Sequence, residues 1–332
     1  MKKIIEKLIR KEDLNRDDIR YITDCIKNNK LDNVQFPAML CGLEIKGITA
    51  EELQLFVDEL IKSAVLIKCS DDCIDICGTG GDKKNTFNIS TATVFVIAGC
   101  GVKVAKHGNR SVSSKSGSFD VLEELGININ PDLTNNLRSL DKSGVCFMFA
   151  QKHHPIFKNI AEIRKKLGIR TIFNIIGPLL NPAQVKKQLI GVFDPKLTEL
   201  MAEVLRNKGM KRAMIVHGDG LDEITITGKT KITELNKGKI LTYYLDPKDY
   251  GFDYGNFDEL KVNNKKESVE AIIELLKGKK SKKRDIVVLN SAAALIIAGK
   301  ASNFNEGIIL AEISIDSGRA FQKLEQIRGM LR

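Results

Sequence analysis

The hydrophobic pattern changes character once, at Cys69, and that change restricts the fold more than any other feature of the 332 residues. Before it, apolar residues recur at helical spacing, as in Ile4, Ile5, Leu8, Ile9 and again in Ile19, Ile22, Ile26. Asn15 with Asp17 and Asp18 looks like a helix start, and Thr49-x-x-Glu52 reads as a capping box before "LQLFVDELIKSAVLI". No strand signal occurs there. After Cys69, short β-type runs ("CIDIC", "VKVA", "QLIGVF", "RAMIVHG") alternate with helical runs ("STATVFVIAGCG", "FDVLEELG", "KLTELMAEVLRNKG"). Such alternation predicts an α/β domain with a mostly parallel central sheet. The expected organisation is a small all-helical domain, 1–68, and a larger α/β domain, 69–332. "ITITGKTKITEL" and "ILTYYL" read as a strand-rich insertion. "DIVVLNSAAALIIAG" reads as strand then helix, and "FNEGIILAEISIDSGRAFQKLEQIRGML" as one last helix.

Three loops at expected strand ends carry the chemistry. The first, "CGTGGDKKNTFNIST" (77–91), follows "CIDIC". It is not a P-loop, and Lys83 stands where a dinucleotide fingerprint needs its third glycine. Gly78 to Gly81 still bring backbone N–H groups close to an anion, and Ser90 or Thr91 can cap the next helix with its positive end toward the loop. Asp82 beside a phosphate is repulsive unless a metal or a sugar hydroxyl intervenes, so the ligand should carry both phosphate and sugar. The second loop, "KHGNRSVSSKSGS" (106–118), supplies Lys106, Arg110, Lys115 and five serines. His107 could be a base, a ligand contact or a packed residue. The third, "HGDGLDEIT", offers Asp222 and Glu223 as a hard-cation site. Arg164 and Arg170 could each hold a carboxylate. The tandem His153 and His154 lack further ligands at metal spacing.

A net charge of +10 suits an anionic partner, a polyphosphate metabolite or nucleic acid. The densest basic run, Lys277 to Arg284, has no aromatic residue for base stacking and reads as a solvated loop. Seven cysteines, an odd number, read as reduced and mostly buried thiols. No stretch approaches the ~20 apolar residues of a membrane span. The opening segment is cut by Glu6, Lys7, Arg10 and Lys11, so it reads as an amphipathic helix that is not cleaved. A cytoplasmic location is the expectation.

Gly78-Thr79-Gly80-Gly81-Asp82, Asn88-Ile89-Ser90-Thr91, Lys106-His107-Gly108-Asn109-Arg110, Ser116-Gly117-Ser118, Arg164, "TIFNIIGPLLNP" and Asp219-Gly220-x-Asp222-Glu223 occur in one order over nearly the whole chain. In this the sequence resembles the anthranilate phosphoribosyltransferase family. The resemblance implies that the 5-phosphoribosyl group of phosphoribosyl diphosphate (PRPP) passes to the amine of anthranilate, releasing pyrophosphate, in tryptophan synthesis. It implies PRPP contacts at Gly78, Gly81, Asp82, Thr86, Asn88, Ile89, Ser90, Thr91, Lys106, His107, Gly108, Asn109, Arg110, Ser111, Val112, Ser113, Ser114 and Ser118. It places anthranilate on Gly78, Asn109 and Arg164, and Mg2+ on Ser90, Asp222 and Glu223, with two ions per monomer. Lys106 and His107 are its candidate catalytic residues. The helical domain is expected to be joined by part of 155–175, and a homodimer through that domain is expected, with no membrane or nucleic-acid partner. Phe119 and Gln151 stand where the family more often has a small residue and proline. Two rivals remain, a pyrimidine-nucleoside phosphorylase and a nucleic-acid binder that kept this fold.

Overall fold

The computed structural model describes residues 1–82, 84–110 and 117–331. The chain opens with four helices, α1 (Lys2–Ile9), α2 (Arg16–Lys27), α3 (Gln35–Lys46) and α4 (Ala50–Ile61). Asn15 caps α2 and Thr49 caps α4, each in a reciprocal capping box with the acid three residues on. Glu52 does more than cap. It is buried, accepts the amide of Leu14 at 2.8 Å and pairs with Lys46 at 2.7 Å.

The rest of the chain winds about a seven-stranded sheet. Its first half runs β1 (Ile74–Gly78), α5 (Ile89–Gly99), β2 (Val104–Gly108), α6 (Ser118–Glu124), α7 (Leu133–Ser143), β3 (Val145–Phe149), α8 (Ala150–His153) and α9 (Lys158–Leu167). The second half runs β4 (Lys187–Gly191), α10 (Leu197–Asn207), β5 (Arg212–Gly218), β6 (Thr230–Asn236), β7 (Lys239–Leu245), α11 (Phe257–Leu260), α12 (Lys265–Leu276), α13 (Lys282–Ala298), α14 (Phe304–Asp316) and α15 (Arg319–Met330). The strand order is β3-β2-β1-β4-β5-β6-β7. β1 to β5 are parallel, and the β6–β7 hairpin closes one side antiparallel. From β1 the chain winds outward to β3, then returns to the other side of β1 as β4. That reversal is the switch point at which parallel α/β sheets open a crevice. Register aligns the strand ends there, Gly78 with Gly191 and Gly108 with Phe149.

One face of the sheet (Ile74, Ile76, Val104, Leu189) packs under α5 and α12 to α15. The other face (Ile190, Ile215) shares an apolar cluster with the N-terminal helices. Ile160 of α9, Ile172 and Phe173 belong to that second cluster too, so the chain revisits the helical unit between β3 and β4. Among the described residues no helix is long and apolar enough to cross a membrane.

Three expectations need correction. "DIVVLNSAAALIIAG" is a single helix, α13, buried from Ile286 to Ile297. A β-branched run inside a helix covered on all sides has no polar face to mark it. The last segment is two helices, because Gly318 at φ +74° breaks α14 from α15. The Lys277–Arg284 run is an exposed loop only as far as Ser281, and its last three residues open α13. Ser281 caps α13, and the Arg284 side chain, 1% exposed, forms a fork with Asp316 at 2.6 and 2.9 Å. β3 and α7 carried no assignment from sequence.

Candidate active site

A cleft of about 400 Å³ opens over the C-terminal ends of β1 and β2 and the loop beyond β5. The first loop turns through Gly80 (φ +66°) and Gly81 (φ +81°), backbone geometry that disfavours any other residue. The Gly80 amide donates to Asp222 Oδ2 at 2.7 Å, and the Thr79 amide to the Gly191 carbonyl at 2.9 Å. Asp222 of the third loop is thereby laced to the first. Packing is tight enough that a Cβ on Gly78 would lie 2.3 Å from Asp222 Oδ2, and one on Gly191 only 1.5 Å from the Asp222 carbonyl. Backbone cannot yield that far. Gly191→Ala should therefore displace the Asp222–Glu223 turn and lower activity by about a hundredfold. Steady-state kinetics on a variant that still folds by circular dichroism would check it.

Asn88 caps α5, its Oδ1 accepting the Thr91 amide at 3.0 Å. This corrects the expectation that Ser90 or Thr91 is the cap. Ser90 thus stays in the first turn with its hydroxyl toward the cleft, 3.2 Å from Lys106 Nζ. Thr91 is wholly buried and forms no part of the cleft wall. Its amide is taken up by the cap. Lys106 is 1% exposed and donates also to the Ile76 carbonyl. Gly78, Gly81, Asp82, Thr86, Asn88, Ile89, Ser90, Lys106, His107, Gly108, Asn109, Arg110, Ser118, Arg164, Asp222 and Glu223 all line the cleft. Arg110 pairs with Glu123 at 3.0 Å. Ser111, Val112, Ser113 and Ser114 lie outside the described residues.

Burial, then Asp82, pushes the Asp222 carboxyl up to about 7. Burial, then Asp222, pushes Glu223 well above its ordinary value. Crowded oxygen donors short of positive charge suit a hard divalent cation. Among the described residues no three His, Cys, Asp or Glu side chains could hold a metal alone. Mg2+ commonly takes one or two carboxylates, with waters and substrate phosphates filling the rest. Asp222, Glu223 and the Ser90 hydroxyl fit that demand.

The far wall had only a faint sequence signal. His154, Phe157, Phe173 and Pro178 line it, the Phe157 and Phe173 rings edge to face with centroids 6.0 Å apart. "HHP" had suggested only an unsupported metal pair. In the structure His153 Nδ1 meets the Val65 carbonyl at 2.6 Å and His154 Nε2 the Leu180 carbonyl at 2.8 Å. The His107 and His154 rings meet edge to face, centroids 5.2 Å apart. The Arg164 guanidinium lies 5.7 Å from the Phe173 ring, and forms no ion pair among the described residues. Burial lowers its pKa. A guanidinium held only by a long bond to the Phe173 carbonyl, 3.4 Å, can receive the carboxylate of a planar aromatic acid beside these rings.

Fold and cleft together define a two-part glycosyltransferase. Residues 70–321 match the model for the glycosyl transferase family, a/b domain, and residues 2–64 the model for its helical bundle domain. The chain is 49% identical to the anthranilate phosphoribosyltransferase of Acetivibrio thermocellus, over 98% of this chain and 95% of that one. It is 47% identical to that of Methanocorpusculum labreanum, over 92% and 90%. The anthranilate phosphoribosyltransferase structure from Thermus thermophilus superposes with a TM-score of 0.92 at 34% identity, over 99% of both chains. The Saccharomyces cerevisiae enzyme in complex with PRPP and Mg superposes at 0.89 with 27% identity, over 99% and 97%. The chain belongs to the anthranilate phosphoribosyltransferase family.

Proposed function

We propose that this chain transfers the 5-phosphoribosyl group of PRPP to the amine of anthranilate, with release of pyrophosphate, in tryptophan biosynthesis. The observation that carries the reading is the convergence on one cleft of the Gly-rich turn, Lys106, the Asp222–Glu223 pair and Arg164, from distant parts of the chain. PRPP lies over Gly78, Gly81, Asp82, Thr86, the α5 N-terminus at Asn88 to Ser90, Lys106 to Arg110, and Ser118. Anthranilate enters the aromatic slot with its carboxylate on Arg164 and its amine toward Asn109 and Gly78.

Ser90, Asp222 and Glu223 would hold Mg2+, which when bound would neutralise charge on the diphosphate; two ions per monomer are proposed. Lys106 and the positive end of the α5 dipole meet the charge that gathers on the leaving pyrophosphate as the C1–O bond lengthens. Arg164 and the aromatic wall align the amine with C1 on the opposite face. His107 is a poor base here. Burial first, then His154, pulls its pKa well below the ordinary 6.5, and its Nε2 has no partner. It acts as a neutral polar contact. His107→Asn should keep activity within about tenfold of the parent, with the same pH profile. A far larger loss with a shifted profile would restore it as the base.

The exposed Ile9, Val34 and Ile45 of the helical unit support a homodimer through that face. A cytoplasmic location is proposed with it. Anthranilate fluorescence followed after adding PRPP, with Mg2+ or with chelator, tests the reaction. Mg2+-dependent loss of signal is expected. No loss at high enzyme concentration would overturn the assignment in favour of nucleoside phosphorolysis or nucleic-acid binding.

A further inference from the structure

The Gly-rich turn is gripped from behind by a side chain outside the cleft wall. Arg170 lies just past α9, in the stretch that returns from the helical unit to the sheet. Its Nη2 donates to the Gly81 carbonyl. Its guanidinium lies over the Phe193 ring, 4.0 Å from the centroid. The Phe193 amide in turn donates to Thr79 Oγ1 at 3.1 Å. One arginine thus ties the turn at Gly81, and through Phe193 at Thr79. Gly81 and Asp82 face the cleft, whereas Arg170 and Phe193 do not.

Peptide geometry gives that grip a consequence. Among the described residues no peptide bond is cis, so each carbonyl points opposite to the N–H of the next residue. With the Gly81 carbonyl held toward Arg170, the Asp82 N–H points away from it. Two glycines at positive φ, Gly80 and Gly81, make this peptide unit easy to turn over. Turned over, it would bring its carbonyl dipole round to the phosphate oxygens in place of its N–H, and attraction would become repulsion.

We infer that Arg170 is a positioning residue that fixes the Gly81–Asp82 peptide with its donor toward the diphosphate of PRPP. The inference rests on the PRPP reading above. Arginine suits the task because a planar guanidinium stacks on Phe193 while its edge holds one carbonyl. Lysine offers a donor without a plane. The side chain is exposed, so its loss should leave the core intact.

Calorimetric titration of PRPP with Mg2+, and of pyrophosphate with Mg2+, on the parent, Arg170→Met, Arg170→Lys and Phe193→Leu tests it. Arg170→Met should weaken both ligands about tenfold or more. The anthranilate KM and the melting temperature should stay at parent values. Arg170→Lys should recover part of the loss, and Phe193→Leu should fall between parent and Arg170→Met. Parent-like PRPP binding by Arg170→Met would overturn the inference, as would an equal rise in the anthranilate KM. If the parent itself neither bound PRPP nor consumed anthranilate, the functional reading would fail, and the inference with it.

Discussion

With Asp222 and Glu223 replaced together by their amides, turnover should fall about a thousandfold, while the metal-free protein becomes more stable. The two effects share one cause. In the parent, burial first and Asp82 second push Asp222 from the ordinary 3.8 to about 7, and burial holds Glu223 well above its own ordinary value. The native state therefore binds protons that the unfolded chain has released. Stability consequently falls through Asp222 as pH rises from about 4 to about 7, and Glu223 adds to the fall. Each pKa unit corresponds to about 1.4 kcal/mol, and water in the cleft reduces what the raised carboxyls cost. A net gain of about 2 kcal/mol at pH 8 is expected for the variant, which is a rise in melting temperature of about 3–6 °C. The difference between variant and parent should grow across that window. The Gly80 amide keeps a carbonyl acceptor in the Asp222→Asn side chain, so the turn should survive. Melting curves in chelator at pH 5 and pH 8, with the same scans in Mg2+, check it. Mg2+ should stabilise the parent and leave the variant unchanged. Parent-like turnover in the variant would remove the pair from the site.

The parts of the site legible in the sequence were those whose chemistry is local. The turn of Gly78 to Gly81 needs glycine for its own backbone, and Asp222 and Glu223 announce themselves as adjacent acids beyond an apolar run. The change at Cys69 separated helical from alternating segments because a solvent-facing helix keeps its period. Where an element is covered on all sides the period vanishes, and α13 was therefore read as strand then helix. The N-cap of α5 was misplaced for a related reason, since Asn88, Ser90 and Thr91 are all good caps and only the backbone path selects Asn88. Arg284 was hidden in a charge run because its partner, Asp316, lies 32 residues on. Arg170 was legible as a cation but not as a grip on Gly81, since nothing local says which of two nearby arginines faces the cleft. Arg164 faces it and Arg170 stands behind the turn.

Lys106→Met should be the most damaging single change in the cleft, with kcat/KM for PRPP lower by about a thousandfold. Methionine keeps most of the side chain's volume in a site where only 1% is exposed, so packing is disturbed little. The lost charge matters more. The ammonium donates to the Ile76 carbonyl and to Ser90 Oγ, and it favours the ionised forms of Asp75 and Glu223. Asp75 is wholly buried, held by the His107 amide at 3.1 Å and by Asn181 and Gln188. Without Lys106, Asp75 on β1 and Glu223 beyond β5 both lose the cation that favours their ionised forms. The leaving pyrophosphate also loses a donor that is already in place. Mg2+ affinity should drop with PRPP affinity, because Glu223 holds its proton longer and must release it to bind metal. Lys106→Arg should not rescue the loss, since a guanidinium is too broad for a pocket shaped around one ammonium. Titration of Mg2+ and PRPP, with kinetics on both variants, checks the account. A Lys106→Met variant that kept kcat/KM within about tenfold of the parent would show that the helix N-terminus and the metal carry the leaving-group charge alone.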